Sequence, residues 1–295
     1  MHSKSGLHYT IQPADLEGIA RYRGLYAICF PKAHHLTESY LEWLYRLNPS
    51  GPALGAEAVI DGELVGQVVA VPGTFLLKGE KVKGLVAMNV AVHPSHQGRH
   101  LFKKMGLFLC DLAREAGYAF VMGVANRAAT PGWVRQMGFQ LVAPLEARIG
   151  FGSPGSGPGE PVLDTLDLTR IWDTPELAWR IQNPSNPIDL LAESGRIEAY
   201  ARSSHPLFTA YAAFPGTWAP SENEKPGWLK RLRPRVILEL APKTSSPKHS
   251  RGLYIPLPDR LRPSPLNLIF KSLQNEGDRL DPSGCRITFL DFDAF

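Results

Sequence analysis

Gln97-Gly98-Arg99-His100 is the stretch of this chain whose residue types suit the holding of an anion. Gly98 lets a phosphate approach the backbone, and Arg99, with Lys103 and Lys104 close behind, adds positive charge. Such a turn works when it opens a helix. The free N–H groups of the first helical turn and the positive end of the helix dipole then point at the same spot. A phosphate or pyrophosphate is the ligand best matched to it. Other groups with possible chemistry are few. His93, in Val92-His93-Pro94, carries an ionisable imidazole, and in such a stretch it reads first as a structural hydrogen-bonding group. His34 and His35 are adjacent in a loop. Residues 225–235 hold five basic side chains and no acidic one. They read either as a solvated loop or as a site for an anionic ligand. Pro226 and Pro234 argue against a basic helix for nucleic acid or membrane.

The elements that must position these groups are legible. Residues 85–92 form a short apolar run, rich in valine and bounded by Gly84 and Pro94, which reads as a buried strand. From Leu101 to Gly117, the residues Leu101, Met105, Phe108, Leu109, Leu112 and Ala116 make one apolar stripe. That spacing predicts an amphipathic helix ending at Gly117. Upstream, the pattern predicts a strand at 7–11 and helices at 15–30 and 37–47, with Thr37 as an N-cap. Strands at 57–60 and 64–71 should pair around Asp61-Gly62. A turn near 78–81 leads to the central strand. Downstream come a strand at 119–125, a loop and short helix at 126–137, and final strands from Gly138-Phe139 to about 150.

Strand, Val-His-Pro, then Gln97 and a helix: this stretch resembles motif A of the GNAT N-acyltransferases. In that family Arg/Gln-x-x-Gly-x-Gly/Ala opens the helix and holds the pyrophosphate of acetyl-CoA. Gln97 matches the first position. His100 stands where the family usually has Gly, and Phe102 where it has Gly or Ala. Asn126-Arg-Ala-Ala, Trp133 and Gly138-Phe139 resemble motif B. The resemblance covers about residues 7–150 and implies a GNAT fold, a mixed central sheet flanked by helices in the α/β (α+β) class. It implies that acyl-CoA lies along Asn89, Val90, Ala91 and Val92, on the loop Gln97, Gly98, Arg99, His100, Leu101 and Phe102, and beside Asn126. No metal is expected. Many family members carry a Glu base on the central strand, and Val86 is the nearest position here. Many use a motif B Tyr as acid, and Trp133 is the aromatic here. His93 is left as the weak catalytic candidate. The loop bearing His34 and His35 lines the acceptor side in this family, and Arg231 and Arg233 of the basic run are added to that side.

The chain has 295 residues, is 44% hydrophobic and 20% charged, and carries a formal charge of +4, as an ordinary globular protein does. That charge is too small to argue for nucleic acid. No run reaches the ~18 apolar residues of a membrane helix. No apolar segment follows the first residues, so a cytoplasmic location is expected. Cys29, Cys110 and Cys285 follow neither a disulfide nor a metal pattern and read as buried free thiols.

The Gly/Pro/Ser run near 152–162 reads as a linker between a first domain, 1–151, and a second, 163–295. The second half faintly repeats the first. Tyr40-Leu-Glu-Trp43 with Asn48-Pro49 precedes the Asp61-Gly62 hairpin. Pro175-Glu-Leu-Ala-Trp179 with Asn183-Pro184 precedes a hairpin around Ser194-Gly195. The second half is therefore expected to be an incomplete GNAT-like lobe, with strands at 208–214, 236–240 and 286–290. Ser264-Pro265 should open a helix to about Leu273. The expected activity is acyl transfer, most simply acetyl transfer, from acyl-CoA to a small amine. The two-lobed layout resembles GNAT proteins of surface-polysaccharide pathways, which points to an amino sugar or nucleotide sugar as acceptor. The alternative is an acyl-CoA-binding module without catalysis.

Overall fold

The computed structural model describes residues 7–152, 166–193, 195–216, 232–242, 252–258 and 265–292. The first half runs β1 (Thr10–Pro13), α1 (Ile19–Cys29), α2 (Glu38–Tyr45), β2 (Leu54–Ile60), β3 (Glu63–Leu77), β4 (Glu80–Val92), α3 (Leu101–Glu115), β5 (Phe120–Ala125), β6 (Gln140–Pro144) and β7 (Glu146–Phe151). Thr37 caps α2, its hydroxyl accepting from the Tyr40 N–H at 3.2 Å. The β2–β3 turn holds Asp61 at φ +50° and Gly62 at +82°, and the β3–β4 turn repeats this with Lys78 and Gly79. Two successive left-handed residues match the twist of a tight hairpin. The middle of β3 is buried on both faces. Val68 and Ala70 meet Met105 and Leu109 of α3 on one side. Val69 and Val71 meet Tyr22, Tyr26 and Leu41 of α1 and α2 on the other. This two-sided burial explains why the strand reads as a continuous apolar run rather than an alternating one.

The second half contains β8 (Leu168–Arg170), α4 (Thr174–Ile181), β9 (Asp189–Glu193), β10 (Arg196–Arg202), β11 (Thr209–Pro215), β12 (Arg235–Leu240), β13 (Leu253–Pro256), β14 (Asn267–Ser272) and β15 (Cys285–Thr288). Its ladder copies the first. As β2, β3 and β4 are antiparallel neighbours and β5 is parallel to β4, so β9, β10 and β11 are antiparallel and β12 is parallel to β11. The faint sequence repeat is a structural one. Trp43 and Trp179 stack at 4.6 Å, and each indole N–H donates to the other's backbone carbonyl at 3.0 Å. Asn48 and Asn183 make the same turn, each side-chain oxygen accepting from the N–H of the serine two residues on.

The strands cross the expected boundary. β14, from the second half, lies between β5 and β6 of the first. In return β7, from the first half, lies against β12. The two lobes thus exchange a strand each, and the sheet is continuous across them. The expected linker lies almost wholly outside the described residues. The helix expected from Ser264 to Leu273 is replaced by β14. Ser-Pro is a good helix start, but in 267–272 Leu268 and Phe270 face one core cluster while Ile269 faces another. A short apolar run cannot distinguish helix from strand by periodicity, and the edges of β5 and β6 supply the hydrogen-bond partners that decide it. The strand expected at 286–290 ends at Thr288. A one-turn helix, Phe289–Asp291, follows, with Thr288 and Asp291 forming a capping box.

Candidate active site

The site begins where two parallel strands part. β4 pairs with β5 only through Leu85, Val86 and Ala87. Beyond Ala87 the β3–β4 register shifts, and Asn89 sits at φ +46°. This is a bulge, and bulges turn a strand away from its neighbour. The gap is a cleft of about 400 Å³ between Asn89 and Val90 on β4 and Gly123 and Val124 on β5, with His35 and Leu36 of the α1–α2 loop at its side.

Polar side chains under α1 and α2 hold the bulge. The Asn89 side-chain amide donates to the Tyr45 hydroxyl at 3.0 Å, and the Tyr45 and Tyr26 hydroxyls are 2.8 Å apart. The Tyr26 hydroxyl also lies in a short contact with the Gln67 side-chain oxygen and 3.2 Å from the Asn89 carbonyl. Burial pushes both tyrosines far above the usual phenol range, so they stay neutral. Beside them Glu57, fully buried, accepts from Tyr22 at 2.9 Å and Gln12 at 2.8 Å. This network was not among the features expected from the sequence. Tyr22 and Tyr26 stand one helical turn apart on the buried face of α1, and a buried phenol needs a partner. That was the available signal.

The cleft continues into a second hollow of about 580 Å³ lined by Val90, Val92, Gly98, Lys103 and Asn126. Gly98 has φ +74°, and a Cβ there would meet nothing within 4 Å, so the space above it is open. His100, at φ +59°, precedes α3 without a side-chain cap. The family's Gly at this position suits a left-handed backbone, and His100 adopts it at a cost of roughly 1–2 kcal/mol. The first N–H groups of α3 have no partner within the helix, and they open onto this hollow. Phe102 does not crowd it. Its ring packs edge-on against Trp133 at 5.1 Å, and Gly132 makes room, since a Cβ there would lie 2.4 Å from the Phe102 ring. Loop and hollow fit a pyrophosphate, and the parted strands fit an extended arm that pairs with β4.

A family model described as an acetyltransferase (GNAT) domain matches residues 10–142. Residues 10–142 thus match a GNAT acetyltransferase domain. Solved GNAT-type structures share the fold across both lobes. A GCN5-related N-acetyltransferase from Anabaena variabilis superposes with a TM-score of 0.58 at 10% identity, covering 90% of this chain and 73% of that one. A probable N-acyltransferase from Enterococcus faecalis gives 0.56 at 12% identity, with the same coverage. A GCN5-related N-acetyltransferase from Kribbella flavida gives 0.55 at 12%, covering 90% and 71%. No curated protein matches.

Within this GNAT domain the predicted residues divide. Asn89 and Val90 line the cleft, Val90, Val92, Gln97, Gly98, His100, Leu101 and Phe102 line the hollow, and Asn126 lines both. Asn126 also caps the turn after β5, accepting from the Ala129 N–H at 2.9 Å. Ala91 points instead into the core under α1 and α2. Arg99 lies over the Tyr9 ring at 5.9 Å. His93 caps a one-turn helix, its Nδ1 accepting from the Ser95 N–H at 3.3 Å, and lines neither space. Trp133 is buried between Phe102 and Phe139. His35 lines the cleft and His34 does not. Arg233 donates to the Pro206 carbonyl at 3.1 Å, and Arg235 is buried over the Tyr200 and Tyr211 rings. Neither lines cleft or hollow, and Arg231 lies outside the described residues. No Asp, Glu or Tyr is among the described residues lining these spaces, which leaves His35 as the ionisable side chain at the parted strands. No helix among the described residues is long and apolar enough to cross a membrane.

Proposed function

We propose that this protein transfers an acyl group, most simply acetyl, from acyl-CoA to an amine. The observation that carries the reading is the continuity of one channel. It runs from the open Gly98 turn at the head of α3, along Val92 and Val90, to the parting of β4 and β5. The pyrophosphate takes the α3 N-terminus. The pantetheine arm lies along the bulged part of β4. The thioester then sits between Asn89 and Gly123, where an amine approaching past Leu36 and His35 attacks its carbonyl carbon. The nitrogen loses a proton, the C–S bond breaks, and the thiolate of CoA takes up a proton. We assign His35 as proton acceptor, directly or through water. Its loop is fixed from the second lobe, the Ser185 hydroxyl donating to the His35 carbonyl at 2.7 Å. The acceptor to test first is an amino sugar or nucleotide sugar. An anionic acceptor draws no support from Arg233 or Arg235, so amines of both charges belong in the panel.

The test is release of free thiol from acetyl-CoA in the presence of that panel. Amine-dependent release, lost in Gly98→Asp, supports the reading. CoA binding without release for any amine would make the protein an acyl-CoA-binding module.

A further inference from the structure

Asn89 stands at φ +46° on the bulge of β4, half-buried, and lines the cleft. The two ends of its side-chain amide are used differently. Nδ2 donates to the Tyr45 hydroxyl at 3.0 Å. Tyr45 is fully buried and lies 2.8 Å from the Tyr26 hydroxyl, which donates to the Gln67 side-chain oxygen. The hydrogen bonds therefore run one way, from Asn89 through two neutral phenols to Gln67, and that direction turns Nδ2 inward. Oδ1 has no partner among the described residues. Unlike Gln67 Nε2, it is not shut away from water. The cleft is the space that Asn89 lines, so Oδ1 is reached from there. A hydrogen-bond acceptor is thus held in one orientation where thioester and amine meet.

On the acyl-transfer reading above, the amine arrives with N–H groups of its own. A neutral primary amine brings one lone pair and two N–H bonds. The lone pair forms the C–N bond to the thioester carbonyl carbon. The C–S bond breaks, and its electron pair leaves on the CoA thiolate, which takes up a proton. One N–H proton passes to His35. The other stays on nitrogen and is still present in the amide product. We propose that Asn89 Oδ1 accepts this retained N–H, which makes Asn89 the residue that selects primary amines. Held by Asn89 on one side and His35 on the other, the nitrogen keeps its lone pair aimed at the carbonyl carbon. A secondary amine has a single N–H and loses it in the reaction. It displaces water from Oδ1 and gives nothing back. A site built to hydrogen-bond an N–H discriminates against the analogue that lacks it.

The test uses the full chain, acetyl-CoA and matched pairs of amines: glucosamine and N-methylglucosamine, benzylamine and N-methylbenzylamine, glycine and sarcosine. Thiol release and product mass are read for each. The wild type should favour the primary member of each pair it uses by about tenfold or more in kcat/KM. Asn89→Gly suits the left-handed backbone and removes the oxygen. It should keep acetyl-CoA affinity by calorimetry, lower transfer to the primary amine about tenfold, and lower transfer to the methylated partner much less. Asn89→Asp keeps an oxygen in place, with the Tyr45 hydroxyl turned to donate to the carboxylate, and should keep the preference. Equal losses with both amines in Asn89→Gly would mean that the amide presents Nδ2 to the thioester oxygen, and would overturn the proposal. A gain confined to the methylated amine would overturn it too, since Asn89 would then act by bulk. So would loss of the preference in Asn89→Asp. Wild-type transfer to primary and secondary amines alike overturns this proposal and leaves the acyl-transfer reading standing. Bound acetyl-CoA with no amine of either kind acylated overturns both.

Discussion

The two lobes part their parallel strands in the same way but use the gap differently. In the first lobe β4 and β5 share three paired positions, and the space beyond is open. In the second, β11 and β12 share two, Thr209 with Arg235 and Ala210 with Val236. There β15 pairs with Glu239 and Leu240 on the edge that β11 has left, and Phe289 and Leu290 pack into the lobe's core behind it. One gap stands open and the other is filled in part by β15 and the turn after it. The polar networks beside the gaps differ too. Neutral Tyr26, Tyr45, Gln67 and Asn89 serve the open one. Beside the closed one, Glu198 accepts from Tyr200 and from Tyr211 at 2.7 Å, with Arg235 over both rings. A duplicated fold thus keeps its scaffold while one copy trades its cleft for packing.

The comparison breaks first at the shared axis. Trp43→Ala removes half of the reciprocal stack and should cost about 3–5 kcal/mol. If the lobes are one cooperative unit, chemical denaturation will show a single transition shifted to lower denaturant. Two separate transitions would show that the lobes fold independently. Next is the open gap itself. Gly98→Asp puts a side chain on a left-handed backbone and a carboxylate where the pyrophosphate must lie. Acetyl-CoA affinity by calorimetry should fall about a hundredfold or more, since like charges at close range oppose each other by several kcal/mol at the surface. An unchanged affinity in a folded variant would remove the ligand from this gap. Then His35→Ala should lower kcat by about a hundredfold, with acetyl-CoA affinity kept. If kcat holds, another group or solvent takes the proton.

Smaller effects test the two networks. Tyr26→Phe leaves Tyr45 and Gln67 short of a partner and should destabilise by about 1–3 kcal/mol in thermal unfolding. Activity should fall with it if the bulge at Asn89 loosens. In the second lobe, burial opposes ionisation of Glu198, but the hydrogen bonds from Tyr200 and Tyr211 and the charge of Arg235 outweigh it and hold the carboxyl below its usual 4.5. A folded-state pKa lowered in this way gives stability that is present above the unfolded value and lost as pH falls through the folded one. Glu198→Gln should therefore flatten the fall in melting temperature below about pH 4.5. An unaltered slope would mean that other carboxylates govern acid unfolding.

The amino-acid sequence by itself determined the features set by a few neighbouring residues. Asp61-Gly62 announced a tight hairpin because its backbone must be left-handed. The stripe from Leu101 to Ala116 announced α3 because a helix has one period. Gln97-Gly98 before that helix announced an anion site because helix geometry leaves N–H groups unpaired there. Only the tertiary structure decided which strands are neighbours. Nothing within residues 267–272 says that they pair with β5, more than a hundred residues earlier in the chain, or that β7 pairs with β12. An apolar strand specifies the faces it buries, while its hydrogen-bonding edges are the same for every residue and accept whichever strand arrives. The same holds for His35. Its neighbours His34 and Leu36 do not mark it out, and Ser185 of the other lobe helps to hold its loop beside the cleft. Likewise periodicity makes Tyr26 one more buried position on α1, and only the fold brings Gln67, Tyr45 and the bulged Asn89 to its hydroxyl.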